Sequence, residues 1–69
     1  MTQHEKIRRY MNEHGSITPL DAMREFGIMR LASRISEMRK MGEDIQKVTI
    51  KDRNRYGDVV HYAKYYKAV

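Results

Sequence analysis

Arg30, Ser33, Arg34, Glu37 and Lys40 fall within eleven residues, at spacings of three and four. On a helix this spacing gathers them on one side, with Arg30 and Arg34 projecting together. Long cationic donors can reach guanine edges or phosphate oxygens in a major groove, and small serines between them allow close approach. The same set also makes an ordinary solvated face, with Glu37 pairing to Arg34 and Lys40 at spacing three. A second cluster follows in Lys51, Arg53, Asn54 and Arg55. In a turn-rich segment such residues can lie on backbone phosphates or in a minor groove, where arginine is favoured. A flexible, solubilising loop tip is the alternative. Tyr56 beside them either touches sugar-phosphate or packs on its own hairpin.

Other chemistries lack their parts. There is no cysteine, which removes disulfides and thiolate metal sites. His4, His14 and His61 have no metal-ligand spacing and no neighbouring acidic set. His14 suits the end of a helix, where it meets the dipole. Ser16, Ser33 and Ser36 have no adjoining histidine and acid to activate them, and no glycine-rich phosphate loop occurs. Neither an enzyme nor a bound metal or cofactor is expected. Tyr62, Tyr65 and Tyr66 interleave with Lys64 and Lys67. That pattern suits base stacking, although a strand must bury one side, so one or two of these tyrosines belong to the core.

The elements that must position these residues follow from caps and periodicity. Thr2 and Glu5 form a capping box before a helix over about 3–14, with Ile7, Tyr10, Met11 and His14 on one face and Gly15 as terminator. Ser16 and Ile17 make a connector able to bridge a small sheet. Thr18, Pro19 and Asp21 then cap a short helix over about 19–26, whose Leu20, Ala22, Met23 and Phe26 are apolar. Gly27 and Ile28 break it. A third helix, about 29–41, carries Leu31, Ile35 and Met38, with Ala32 and Met41 extending the stripe and Gly42 ending it. The pattern then changes to period two over about 44–51 and again over 59–66, either side of the charged loop 51–58. The expected fold is mostly α with a small β-hairpin (α+β), a single domain over 1–69. Its core would hold Ile7, Tyr10, Met11, Leu20, Phe26, Ile28, Leu31, Ile35 and Met38.

Sixty-nine residues leave room for one core without staples. At 41% hydrophobic the chain can build one, and no apolar run is long enough to span a membrane. Met1 reads as a true start, and the absence of a signal segment implies a cytoplasmic protein. Residues 1–27 carry four basic and four acidic side chains, whereas 28–69 carry ten and five. The whole net charge of +5 therefore lies beyond the second helix. Such polarity favours a polyanionic partner, although basic balance also serves solubility.

Three stretches carry a family resemblance: Ile17-Thr18-Pro19-Leu20-Asp21-Ala22, Gly27-Ile28-Met29-Arg30-Leu31-Ala32-Ser33-Arg34-Ile35 and Arg39-Lys40-Met41-Gly42. Together they resemble the small winged helix-turn-helix DNA-binding domains common in phages and prophages. The resemblance implies a three-helix winged fold and a DNA-binding role. In the shortest helix-turn-helix motifs the apolar contacts would fall on Ser33 and Ser36. Here they fall two residues later, on Ile35 and Met38, which requires a longer turn of the winged type.

These observations converge on a double-stranded DNA-binding protein, a small transcriptional regulator or an architectural, excisionase-like factor, nucleoid-associated when bound. Helix 29–41 would read the major groove through Arg30, Ser33, Arg34, Glu37 and Lys40. The wing would hold backbone or minor groove through Lys51, Arg53, Asn54 and Arg55. A homodimer or tandem binding would extend so small a footprint. The alternative is a winged-helix module that holds a host or partner protein, for which Glu37, Glu43 and Asp44 speak because they repel phosphate. RNA binding is a third reading. If helix 29–41 reads bases, Arg34→Ala weakens the specific site by about 1–3 kcal/mol and relaxes one base position. Arg53→Ala weakens all sequences alike and lowers the salt slope by roughly one unit. Duplex titrations of both variants, beside circular dichroism, check this; unchanged affinity and base preference in Arg34→Ala would remove helix 29–41 as the reading element.

Overall fold

Two capping boxes start the first two helices of the computed structural model, which describes residues 1–67. Residues 68 and 69 of the expected span lie outside the described residues. In α1 (Gln3–His14) the Thr2 hydroxyl accepts from the Glu5 N–H at 3.1 Å, and the Glu5 carboxylate returns to the Thr2 N–H. In α2 (Pro19–Phe26) Thr18 and Asp21 exchange the same bonds at 3.1 and 3.0 Å, with Pro19 opening the first turn. Gly27 then takes the left-handed conformation at φ +68°, a position that favours glycine over any residue with a Cβ.

The turn between α2 and α3 (Leu31–Lys40) spans residues 27–30, the longer turn that the register of Ile35 and Met38 demands. Ile28 is buried in it, while Met29 is 77% exposed. Helix α3 begins two residues later than the expected 29 because Ile28 plugs the core and Arg30, at φ −120° and ψ 60°, only caps the helix. Leu31, Ile35 and Met38 are buried as a continuous stripe.

Four placements in the expected apolar stripes need correction. Leu20 is 66% exposed, and Met23 beside it is exposed as well. Ala22 and Phe26, four apart, point inward, so Leu20 falls roughly on the far side of a helix that turns 100° per residue. Buried Ala22 has no bulk, which lets α2 lie close to its neighbours. Met41 caps α3 from beyond its last residue and is exposed, and Ala32 sits outside the buried stripe.

A hairpin of β1 (Ile45–Arg53) and β2 (Val59–Lys67) completes the chain, paired antiparallel from Ile45 opposite Lys67 to Arg53 opposite Val59. Strand β1 runs two residues past the expected end, because backbone pairing continues under the charged side chains of Lys51, Asp52 and Arg53. Ile17 adds a bridge to the other edge of β2, its N–H and C=O bonded to Tyr65 at 2.8 and 2.9 Å. The order across this small sheet is therefore Ile17, β2, β1. Tyr65 is the buried tyrosine of the tail, and Ile45 joins it at the root of the hairpin.

The core gathers Ile7, Met11, Ile17, Ala22, Ile28, Leu31, Ile35, Met38, Ile45 and Tyr65, with Tyr10, Phe26 and Ala63 packed against it. The Tyr10 and Phe26 rings meet edge to face at 5.8 Å. Ile35→Ala is expected to cost about 2–5 kcal/mol, a large part of a small domain's stability. Leu20→Ala should change stability by no more than about 0.5 kcal/mol. Urea unfolding of the two variants checks the assignment: equal losses would contradict the orientation of α2.

Candidate nucleic-acid interface

With Leu31, Ile35 and Met38 turned inward, the opposite side of α3 centres on Ser33, Ser36 and Lys40. Ser36 and Lys40 are exposed and Ser33 is half-buried. Arg30 is exposed at the N-cap, outside the regular turns of α3. Arg34 and Glu37 stand on the flank toward α1. The Arg34 Nη2 lies 3.2 Å from Glu37 Oε2, and Glu37 Oε1 lies 2.8 Å from the Nε2 of His4 on α1. The Arg34 Nε is enclosed without a hydrogen-bond partner. The five residues read as one face are thus divided: a small, polar central strip and a clasped pair beside it. The shallow depression between Gln3, Arg30 and Arg34 measures about 240 Å3.

Two further contacts set the wing against this helix. Arg39, on the other flank of α3, donates from Nε to the Ile45 carbonyl at 3.0 Å, which joins the end of the helix to the start of β1. Glu43, in the connection, receives a bidentate grip from Arg8 of α1, at 2.9 Å from Nε and 2.6 Å from Nη2. Lys67 of β2 approaches the same carboxylate at 3.5 Å. Glu43 therefore ties first helix, connection and last strand. These partners are 35 and 24 residues away in sequence, as His4 is 33 from Glu37, so no local spacing announces them.

Toward the tip of the wing, Lys51 and Arg53 at the end of β1 and Asn54 and Arg55 in the turn are all exposed. Asn54 is the organiser of the turn. Its Oδ1 accepts from the backbone N–H groups of Tyr56 and Asp58 at 2.9 and 3.0 Å. Arg53 donates from Nη1 to the Gly57 carbonyl at 2.8 Å, which steadies the same turn. Tyr56 is 80% exposed and stands clear of the hairpin faces. An open groove of about 870 Å3 runs between Leu20, Met23 and Met29 and the hairpin residues Asp52, Tyr62 and Lys64. Among the described residues no three His, Asp or Glu side chains gather as a metal ion would need.

Both clasped carboxylates are held ionised. The hydrogen bond from Arg8 pulls the Glu43 carboxyl below its ordinary value of 4.5, against a smaller opposing effect of burial. The contact with His4 does the same for Glu37, with Arg34 adding to it. No helix among the described residues is long and apolar enough to cross a membrane.

A family model described as a winged helix-turn-helix domain matches residues 2–68. No curated protein and no solved structure matches the chain.

A depressed folded-state value means that Glu43 contributes stability above its unfolded value near 4.5 and loses it as pH falls through the lower folded value. Denaturant unfolding between pH 7 and pH 3 is therefore expected to show stability falling on the acid side. Glu43→Gln should be less stable at neutral pH and show a flatter acid limb. A variant whose acid limb matches the parent's would contradict the role given to this carboxylate.

Proposed function

The chain belongs to the winged helix-turn-helix domain family, and from that premise we propose that it is a double-stranded DNA-binding protein, acting as a small phage- or prophage-type regulator or an excisionase-like architectural factor. On this reading it is a cytoplasmic binding module, not an enzyme. Helix α3 enters the major groove with Ser33, Ser36 and Lys40 foremost, and Arg30 reaches the groove edge from the N-cap. The wing lies along the flanking backbone or minor groove through Lys51, Arg53 and Arg55, with Asn54 shaping the turn that presents them. Arg34 joins the base contacts from the flank while its Nη2 stays beside Glu37.

The observation that carries this reading is the sorting of charge around α3 and the wing. Lys40, Lys51, Arg53 and Arg55 are exposed, while the nearby Glu37 and Glu43 are each engaged by cationic or imidazole partners. A surface arranged this way presents donors to a polyanion and withholds the repulsion of Glu37 and Glu43, while Asp52 and Asp58 of the wing stay exposed.

Titrating a labelled duplex over a salt series tests it. The logarithm of the binding constant should fall linearly with the logarithm of salt concentration. Absence of duplex binding, or a flat salt dependence, would contradict the proposal. A second reading has its own observation: the groove between α2 and the hairpin exposes apolar surface at Leu20, Met23 and Met29. It suits a protein partner. Recovery of one host protein after nuclease treatment, with no duplex binding, would put that reading first.

A further inference from the structure

One side chain on the reading helix has the wrong sign for a polyanion. Glu37 is the sole acidic residue of α3. A carboxylate placed against a phosphate is repelled, so in a helix that docks on DNA it is tolerated only where it faces something other than backbone. In the major groove a carboxylate is an acceptor that needs a donor. Cytosine N4 and adenine N6 supply amino donors there, whereas guanine O6 and N7 and thymine O4 present acceptors.

Glu37 is also prepared for such a role. Its side chain is 45% exposed, next to the serines that permit close approach. Each oxygen is already oriented, Oε1 by His4 at 2.8 Å and Oε2 by Arg34 at 3.2 Å. An ionised carboxylate offers about four acceptor positions, so two such contacts leave room for a further donor on the exposed side. A pre-oriented acceptor loses little side-chain freedom on binding.

Building on the DNA-binding reading, we propose that Glu37 is a specificity-determining residue that demands an amino-bearing base, cytosine or adenine, at one position of the site, with His4 as its positioning residue. Guanine or thymine at that position would set acceptor against acceptor. The discrimination expected from one such contact is about tenfold. His4 acts from α1 without touching DNA, so its loss should blur the same position and no other.

Selection of bound duplexes from a random pool, run with the full chain, Glu37→Gln, Glu37→Ala and His4→Ala, tests this, with circular dichroism confirming that each variant folds. The parent should yield a motif with one sharply preferred base pair that depends on residue 37. Glu37→Gln and Glu37→Ala should change that position alone and bind unrelated duplex more tightly, because a negative charge is gone. His4→Ala should weaken the same preference. Glu37→Gln keeps the side-chain length but adds an amide donor that guanine or thymine can accept, so it should relax the position and remains decisive if the alanine variant does not fold. An unchanged motif in the folded Glu37 variants would overturn the proposal while leaving DNA binding intact. A parent that retains no duplex would overturn the DNA-binding reading itself.

Discussion

The paired hydrogen bonds between Ile17 and Tyr65 connect everything else. A two-stranded hairpin alone is marginal in water, and here β1 and β2 gain their footing from a third strand reduced to one residue. Both side chains of that bridge are buried, so backbone pairing and apolar packing are obtained at the same point. Ile17 lies between α1 and α2, which means that the bridge also fixes where the two helices enter the core. Tyr65 and Ile45 close the root of the hairpin in the same core cluster as Ile35 and Met38. The orientation of the wing relative to α3 follows from that seat.

Polar ties then convert this seat into a defined surface. Arg39 bonds the Ile45 carbonyl, and Glu43 holds Arg8 and Lys67. Exposed ion pairs contribute little to stability, but the Glu43 side chain is only 14% exposed and its contact with Arg8 is bidentate, a geometry that specifies position as well as energy. The same arrangement removes a carboxylate from the reach of a polyanion. Cations of the wing and of the outer side of α3 remain in solvent.

Much of this was legible in the sequence because local rules govern it. The first capping box, the Thr18-Pro19 helix start, the glycine stops, the longer turn before Leu31 and the antiparallel hairpin all follow from residue types at short spacing. Leu20 was misplaced because apolar spacing alone does not say which side of a two-turn helix is covered; buried Ala22, small and easily overlooked, decides it. The extension of β1 through Arg53 was hidden because strand pairing is a backbone property and charged side chains tolerate it at an exposed tip. Of the candidate contact residues, Lys40, Lys51, Arg53 and Arg55 are exposed. The Arg34–Glu37 pair is the spacing-three pairing the sequence offers; the hold of His4 on Glu37, and of Asn54 on its own turn, depends on tertiary neighbours or detailed turn geometry, which residue spacing does not encode.

The central claim is that DNA occupies the outer side of α3 together with the wing, and not the apolar groove beside α2. Backbone amide shifts of the labelled protein, followed by nuclear magnetic resonance as duplex DNA is added, test it most directly. The account requires the largest shifts at Ser33, Ser36, Lys40 and residues 51–57, with Leu20 and Met23 little changed. Shifts concentrated at Leu20, Met23 and Tyr62, or none anywhere at saturating duplex, would contradict it.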